Sequence, residues 1–157
     1  MDQQRTIGRD GRLPWRPIPA DWENLRRVTA GRKMIMGRKS YDTPDRICSP
    51  EGNLVITRQA GYPVEAGFEV VSSLEAALER YRNEEEVFVL GGEEIFAQAL
   101  PLGDVLYLTL VHDTFEGDAH FPPFSEADWH LASRRDFRAD AENPYDYSFL
   151  VYDRVRP

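Results

Sequence analysis

Lys33-Met34-Ile35-Met36-Gly37-Arg38-Lys39-Ser40 carries a strand and the start of a helix in eight residues. Three consecutive apolar residues bounded by Lys33 and Gly37 read as a short buried strand. Gly37-Arg38-Lys39-Ser40 then opens a helix. Backbone N–H groups at a helix start, joined by two cationic side chains, suit a phosphate. A second junction of the same kind is Val87-Phe88-Val89-Leu90-Gly91-Gly92, followed by a helix over 93–99. Glycines at such a place let a ligand approach the backbone closely. A third strand, Leu106-Tyr107-Leu108-Thr109-Leu110, precedes Glu116-Gly117-Asp118-Ala119-His120-Phe121-Pro122. Taken singly, each junction is equally well explained as an efficient connection.

Working outward, the spacing predicts further strands at 53–57, 68–71 and 105–110, and helices at 21–29, 38–43 and 74–82. Short apolar strands alternating with helices imply right-handed crossovers and an α/β fold with a mainly parallel central sheet flanked by helices. The tail differs. Two long strands, 129–137 and 147–155, are separated by 138–146 and are expected to form an antiparallel pair at the end of the sheet. There is no internal repeat, low-complexity tract or interdomain linker, so one domain over 1–157 is expected. Glu84-Glu85-Glu86 reads as a solvated turn.

Composition narrows the class. A chain of 157 residues can build a core without disulfides, and Cys48 is its one cysteine. That favours a reducing compartment. No long apolar run, signal peptide or lipidation motif is present, and a cytoplasmic protein is expected. The net charge of −8 argues against a nucleic-acid partner. It does not exclude an anionic small molecule, because Arg38, Lys39 and Arg58 are basic locally. Nothing suggests a subunit interface, a membrane partner or a metal, so a monomer is expected.

One carboxylate stands out. Asp21 lies six residues after Leu13-Pro14-Trp15 and opens the amphipathic segment Asp21-Trp22-Glu23-Asn24-Leu25-Arg26-Arg27-Val28-Thr29. Trp22, Leu25 and Thr29 fall on one helical face. An acid held near that apolar surface gains proton affinity. The plainer reading is a helix N-cap, a role aspartate fills well.

In this order and spacing, Ile7-Gly8, Leu13-Pro14-Trp15, Asp21, Met36-Gly37-Arg38, Gly91-Gly92, Thr109 and Gly117-Asp118-x-His120-Phe121-Pro122 resemble the dihydrofolate reductase family. The resemblance runs from about Thr6 to Tyr152. It implies hydride transfer from NADPH to 7,8-dihydrofolate. Asp21 is then the single acid at the pterin and supports protonation of the ring nitrogen. Thr109 shares its hydrogen bond, Trp15 holds a water nearby, and Leu13 rides a mobile loop over 9–15. For the cofactor the resemblance implies Ile7, Gly37, Arg38, Lys39, Ser40, Thr57, Arg58, the Gly91–Gly92 junction with its cis peptide, Glu93, Glu94, Ile95, Phe96 and Gln98. Cationic donors at Arg38, Lys39 and Arg58 favour NADP(H) over NAD(H). For the substrate it implies Trp22, Leu25, Arg26, Pro44, Arg46 and Cys48. Without the resemblance, Thr109 is an ordinary strand residue and Trp15 an ordinary core residue.

Two departures carry expectations of their own. Relatives begin with a central apolar strand ahead of an acidic turn like Asp2. The polar residues 1–6 do not supply it, so that strand is expected to be truncated and Met1 to be an internal methionine taken as a start. At Glu51 the family pattern has an arginine that grips the glutamate carboxylate of folate, and Arg46 or Arg26 is expected to take over. Glu51 leaves room for a reductase of the same fold acting on another pterin or on a riboflavin-pathway pyrimidine. The shortened start leaves room for a non-catalytic nucleotide-binding relic. The Trp15–Asp21 pairing favours the pterin.

Overall fold

The computed structural model describes residues 1–156. The elements are β1 (Thr6–Gly8), α1 (Pro19–Thr29), β2 (Lys33–Gly37), α2 (Arg38–Tyr41), β3 (Asn53–Ile56), β4 (Phe68–Val71), α3 (Leu74–Arg80), β5 (Val87–Val89), α4 (Glu93–Ala99), β6 (Val105–Val111), β7 (Ala119–His120), β8 (Trp129–Phe137) and β9 (Tyr147–Arg154). They fall into two compact units, Leu25–Ala99 in one, and Met1–Asn24 with the chain from Leu100 onward in the other.

In the unit Leu25–Ala99 a parallel sheet runs in the order β4-β3-β2-β5. Successive side chains of a strand face opposite ways, and here both ways are inward. Ile35 packs with Leu54, Leu74 and Ala77. Met34 and Met36 pack with Tyr41 and Val55. Both faces being covered explains the uninterrupted apolar run of β2. Helix α3 is fixed at its start by Ser73, whose side chain accepts a hydrogen bond from the Ala76 N–H. Its buried residues are Leu74 and Ala77.

In the other unit, β6, β9 and β8 form an antiparallel sheet, and β1 pairs with β7. Its core is Ile18, Val111 and Tyr147, with Trp15, Ala20, Phe115, Tyr145 and Phe149 packed around them. The turn between β8 and β9 is tied by Asp140 Oδ1, which accepts from the N–H of Glu142 and of Asn143. Asn143 Oδ1 in turn accepts from the Ala20 N–H at 3.0 Å, so a residue far along the chain caps α1. Strand β8 is exposed along its length apart from Trp129. It pairs on one edge with β9 and carries Arg134, Arg135 and Asp136, charges that discourage further strand pairing.

The α/β class, the parallel strands β2 to β5 and the antiparallel pair β8–β9 agree with the sequence reading; β6, expected with the parallel strands, instead pairs antiparallel with β9 in a sheet of its own with β8. Ends differ by a residue or two. Helix α1 starts at Pro19 rather than Asp21, since proline suits a first helical turn. Helices α2 and α3 stop at Tyr41 and Arg80, each end being closed by the next residue's N–H. The reading missed β1 and β7, which are too short for periodicity to register. The N-terminal residues do more than expected. Met1 lies along β6, its ammonium donating to the Thr109 carbonyl at 2.8 Å and its carbonyl accepting from the Val111 N–H at 2.8 Å. Among the described strands, β5 pairs with β2 alone.

Candidate active site

The acid comes first because its surroundings are the least ordinary. Asp21 sits in the first turn of α1, where a carboxylate suits the helix dipole. It is not the N-cap of the plainer reading; Asn143 provides that function. Thr109 Oγ1 donates to Asp21 Oδ1 at 2.6 Å, joining the middle of β6 to the helix start. Burial pushes the Asp21 carboxyl above the usual carboxylate range, opposed by that hydrogen bond and by the nearby Met1 ammonium. The ammonium is itself pushed down to about 6, by burial and against the attraction of Asp21 and Asp2. Asp2 behaves oppositely to Asp21. Burial opposes its charge, yet N–H donors from Thr6, Phe115 and Gln4 hold it below the usual range. The two aspartates therefore differ: buried Asp2 is a fully bonded anion that ties a turn together, while half-buried Asp21 holds a proton more readily than an ordinary carboxyl.

Trp15 is half-buried, with its ring 5.6 Å from that of Phe115. Leu13 is 45% exposed. The loop before it is a tight hairpin in which Arg9 and Arg12 exchange backbone hydrogen bonds of 2.8 and 3.0 Å. Asp10 and Gly11 at its tip have φ of 51° and 77°. Asp-Gly is the residue pair such a turn requires, a signal the sequence reading passed over. The Asp10 N–H donates to Asp118 Oδ2 at 3.1 Å. Gly117 explains the glycine of the Gly117-Asp118 motif. A Cβ there would fall 2.3 Å from Thr6 Cγ2 and 2.4 Å from the Gly8 carbonyl oxygen. Ile7 lies in β1, half-buried.

The other group of predicted residues belongs to the unit Leu25–Ala99. The Gly91–Gly92 peptide is cis, as the resemblance implied. The Gly37 N–H donates to the Gly91 carbonyl at 2.7 Å, closing the ends of β2 and β5 on one another. A Cβ on Gly37 would come within 2.9 Å of Ile95 Cγ1. One on Gly91, at φ 101°, would strike the Phe96 ring at 2.7 Å. Gly92 lies close to Ser40, whose Oγ would stand 3.7 Å from a Cβ built there. Glycine is thus required at Gly37 and Gly91. Gly37, Ser40, Gly91, Gly92, Ile95 and Phe96 form one close-packed group, with Gly37, Gly91 and Ile95 buried and the others half-buried. Glu93, Glu94 and Gln98 are on the exposed side of α4.

Arg38 and exposed Lys39 open α2, directly beside that group. Thr57 is buried at the end of β3, its hydroxyl accepting from the Gln59 N–H, and Arg58 beside it is exposed. The residues fit a dinucleotide phosphate ligand. The glycines bring the ends of β2 and β5 together without side chains, and three cationic side chains stand at strand ends where phosphates need charged donors.

The residues predicted for the substrate are less of a group. Trp22 and Leu25 are half-buried, while Arg26, Pro44 and Cys48 are exposed. Arg46 is already engaged. It pairs with Glu65 at 2.7 Å and lies over the Tyr41 ring, 4.3 Å from its centroid. Glu51 is exposed, and its N–H donates to Ser49 Oγ.

A parallel sheet whose strands end in glycines and cations, and a carboxylate of raised proton affinity on a helix tied to a strand threonine, fit the class of α/β enzymes that bind a dinucleotide phosphate. The comparisons narrow this class. A family model described as dihydrofolate reductase matches residues 1–154. The chain is 40% identical over 156 residues to dihydrofolate reductase of Staphylococcus haemolyticus, covering 99% of this chain and 93% of the relative. It is 40% identical over 154 residues to the Bacillus subtilis (strain 168) enzyme, covering 98% and 90%. Dihydrofolate reductase of Enterococcus faecalis, solved in complex with NADP(H) and RAB-propyl, superposes with a TM-score of 0.89 at 30% identity, covering 99% of this chain and 93% of that one. The chain belongs to the dihydrofolate reductase family. Its reaction is the NADPH-dependent reduction of 7,8-dihydrofolate to tetrahydrofolate, which decides against the riboflavin-pathway and relic readings.

Proposed function

We propose that Asp21 is the acid of this reductase and that the rest of the predicted site divides around it as follows. NADPH supplies the hydride; the chain binds, orients and protonates. Asp21 receives the amino group and adjacent ring nitrogen of the pterin as hydrogen-bond donors, and it supports protonation of the ring nitrogen beside the carbon being reduced, the proton coming from solvent through water. Thr109 fixes the carboxylate by its hydrogen bond to Oδ1. Trp15 positions the water, and Leu13, on the hairpin that ends in Asp10-Gly11, helps to exclude solvent. Ile7, Gly37, Ser40, Gly91, Gly92, Ile95 and Phe96, with Glu93, Glu94 and Gln98 at the edge, hold the nicotinamide and pyrophosphate. Arg38, Lys39, Thr57 and Arg58 hold the 2′-phosphate. Trp22, Leu25, Pro44 and Cys48 line the aminobenzoyl group, and Arg26 or Arg46 meets the glutamate.

The carrying observation is the 2.6 Å Thr109–Asp21 bond on a carboxyl whose proton affinity burial has raised. Asp21→Asn tests it, by NADPH oxidation followed at 340 nm with dihydrofolate across pH. The remaining expectations stand as part of the same proposal: one folding domain over residues 1–157, the last of which lies outside the described residues; a monomer; a small molecule rather than nucleic acid or membrane as partner; and a cytoplasmic location. Among the described residues no helix is long and apolar enough to cross a membrane.

A further inference from the structure

Arg38 has a neighbour that the reading above does not use. Asp42 closes α2 and accepts from Arg38 Nη1 at 3.5 Å. The same carboxylate accepts from the Tyr62 hydroxyl at 2.7 Å on Oδ1 and 2.8 Å on Oδ2. Tyr62 also lies against Arg38, whose guanidinium carbon is 5.8 Å from the ring centroid, and packs edge-on against Tyr41. The segment that starts at Thr57-Arg58 turns at Gln59, whose carbonyl accepts from the Tyr62 N–H, and so delivers Tyr62 to Asp42. The two halves of the 2′-phosphate reading, Arg38 and the segment after β3, are thus joined through one carboxylate.

We propose that Asp42 and Tyr62 are positioning residues that set the preference for NADPH over NADH: Asp42 is the resident anion that Arg38 exchanges for the cofactor's 2′-phosphate, and Tyr62 keeps Asp42 satisfied once Arg38 has left. This rests on the reading of Arg38 as a 2′-phosphate ligand. The two bonds to Asp42 are unequal. The Arg38 pair is long and both side chains are over a third exposed, 37% and 41%, so it is weak and exchangeable. The Tyr62 bonds are short. Acceptance by Asp42, with burial, raises the affinity of the phenol for its proton, against a hydrogen bond from Arg38 that lowers it. A phosphate dianion offers Arg38 a charge-assisted pair that a surface carboxylate at 3.5 Å does not match. Asp42 itself repels that dianion, and hydrogen bonding to Tyr62 disperses the repelling charge.

The two residues therefore act in opposite directions. Asp42→Asn removes the competitor and should tighten NADPH about two- to fivefold, the scale of an exposed ion pair, with NADH unchanged. Tyr62→Phe leaves the carboxylate with Arg38 alone and should weaken NADPH about two- to fivefold, again with NADH unchanged. The double variant should match Asp42→Asn. Dissociation constants for both cofactors, from fluorescence titration of the purified full chain, decide the matter. If both single variants weaken NADPH, or if either shifts NADPH and NADH alike, the pair is mere scaffold and the proposal falls. Arg38→Ala is measured alongside. An equal loss for both cofactors would overturn the 2′-phosphate reading itself. A loss confined to NADPH, with Asp42→Asn and Tyr62→Phe silent, would overturn only the exchange.

Discussion

The acid of the unit Met1–Asn24 with Leu100 onward and the cations of the unit Leu25–Ala99 are built on opposite principles. Asp21 draws its chemistry from withdrawal of water: burial raises its proton affinity, and one threonine hydroxyl sets its orientation. Arg38, half-buried, and Lys39 and Arg58, exposed, lie where water and salt compete for their partners, which makes those partners exchangeable. A desolvated group has few partners, so each change to it is large. A solvated group shares its task with neighbours and with salt, so each change is smaller and depends on ionic strength.

The largest effect should come from Asp21→Asn. Loss of a positioned acid lowers turnover by at least about tenfold at pH 7, and the deficit should narrow as pH falls and solvent supplies the proton. The same substitution should raise thermal stability at pH 7. A carboxyl whose folded proton affinity exceeds its unfolded one contributes stability that is complete below the unfolded pKa and lost as pH rises through the folded one. Burial disfavours the charged form of Asp21 in the parent, a penalty that asparagine lacks. Melting curves should separate at pH 7 and converge near the ordinary carboxylate range. A variant with parental turnover, or one that melts lower at pH 7, would break the contrast.

Next come the cations. Arg38→Ala and Arg58→Ala should each weaken NADPH by up to about 1.5–3 kcal/mol, the range for hydrogen bonds to charged groups, reduced by solvent screening. NADH should be nearly unaffected. The loss should shrink with added salt, whereas the Asp21→Asn deficit should not. Calorimetric titration of both cofactors at low and high salt checks this, and a salt-independent loss would show that the arginines are not acting as solvated charges.

Thr109→Val sharpens the comparison from the other side. The hydroxyl bonds the charged form of Asp21, so removing it lifts the carboxyl's proton affinity further. The limb of the pH–rate profile that reports Asp21 should move to higher pH, and a limb that stays in place would mean that Thr109 merely packs.

What the sequence revealed follows the same division. Met34 to Met36, Gly37, Gly91 and the long β8–β9 pair were legible because local pattern and local requirement coincide: a strand buried on both faces must be apolar throughout, and a Cβ on Gly37 would strike Ile95. The Asp21–Thr109 bond spans 88 positions and entered only through family resemblance, since no periodicity links a helix start to a distant strand. The Asn143 cap on Ala20 was illegible for the same reason. The Asp10-Gly11 hairpin carried a readable signal that a mobile-loop expectation obscured. At Tyr62 and Asp42 nothing in residue type or spacing announces that the two side chains meet.

The smallest effect concerns Glu51, where the resemblance leads to the expectation of an arginine. Glu51 is exposed and Arg46 is paired with Glu65 and seated on Tyr41, so neither the expected arginine nor one of its replacements stands idle for a substrate carboxylate. If the glutamate tail reaches Glu51 as the resemblance implies, its carboxylate repels the tail, and water screens the repulsion. Glu51→Arg reverses the charge and should lower KM for dihydrofolate by about two- to tenfold, the lower figure being that of an ordinary exposed pair, with kcat unchanged because the tail binds alike before and during hydride transfer. A dihydropterin lacking the glutamate should show no change, which separates a tail contact from a general effect on the loop. Added salt should lower KM for the parent and raise it for the variant. If KM stays put in Glu51→Arg but rises when Arg46→Ala is added, the substrate draws Arg46 away from Glu65, and the tail site is made by exchange of partners rather than by a free cation.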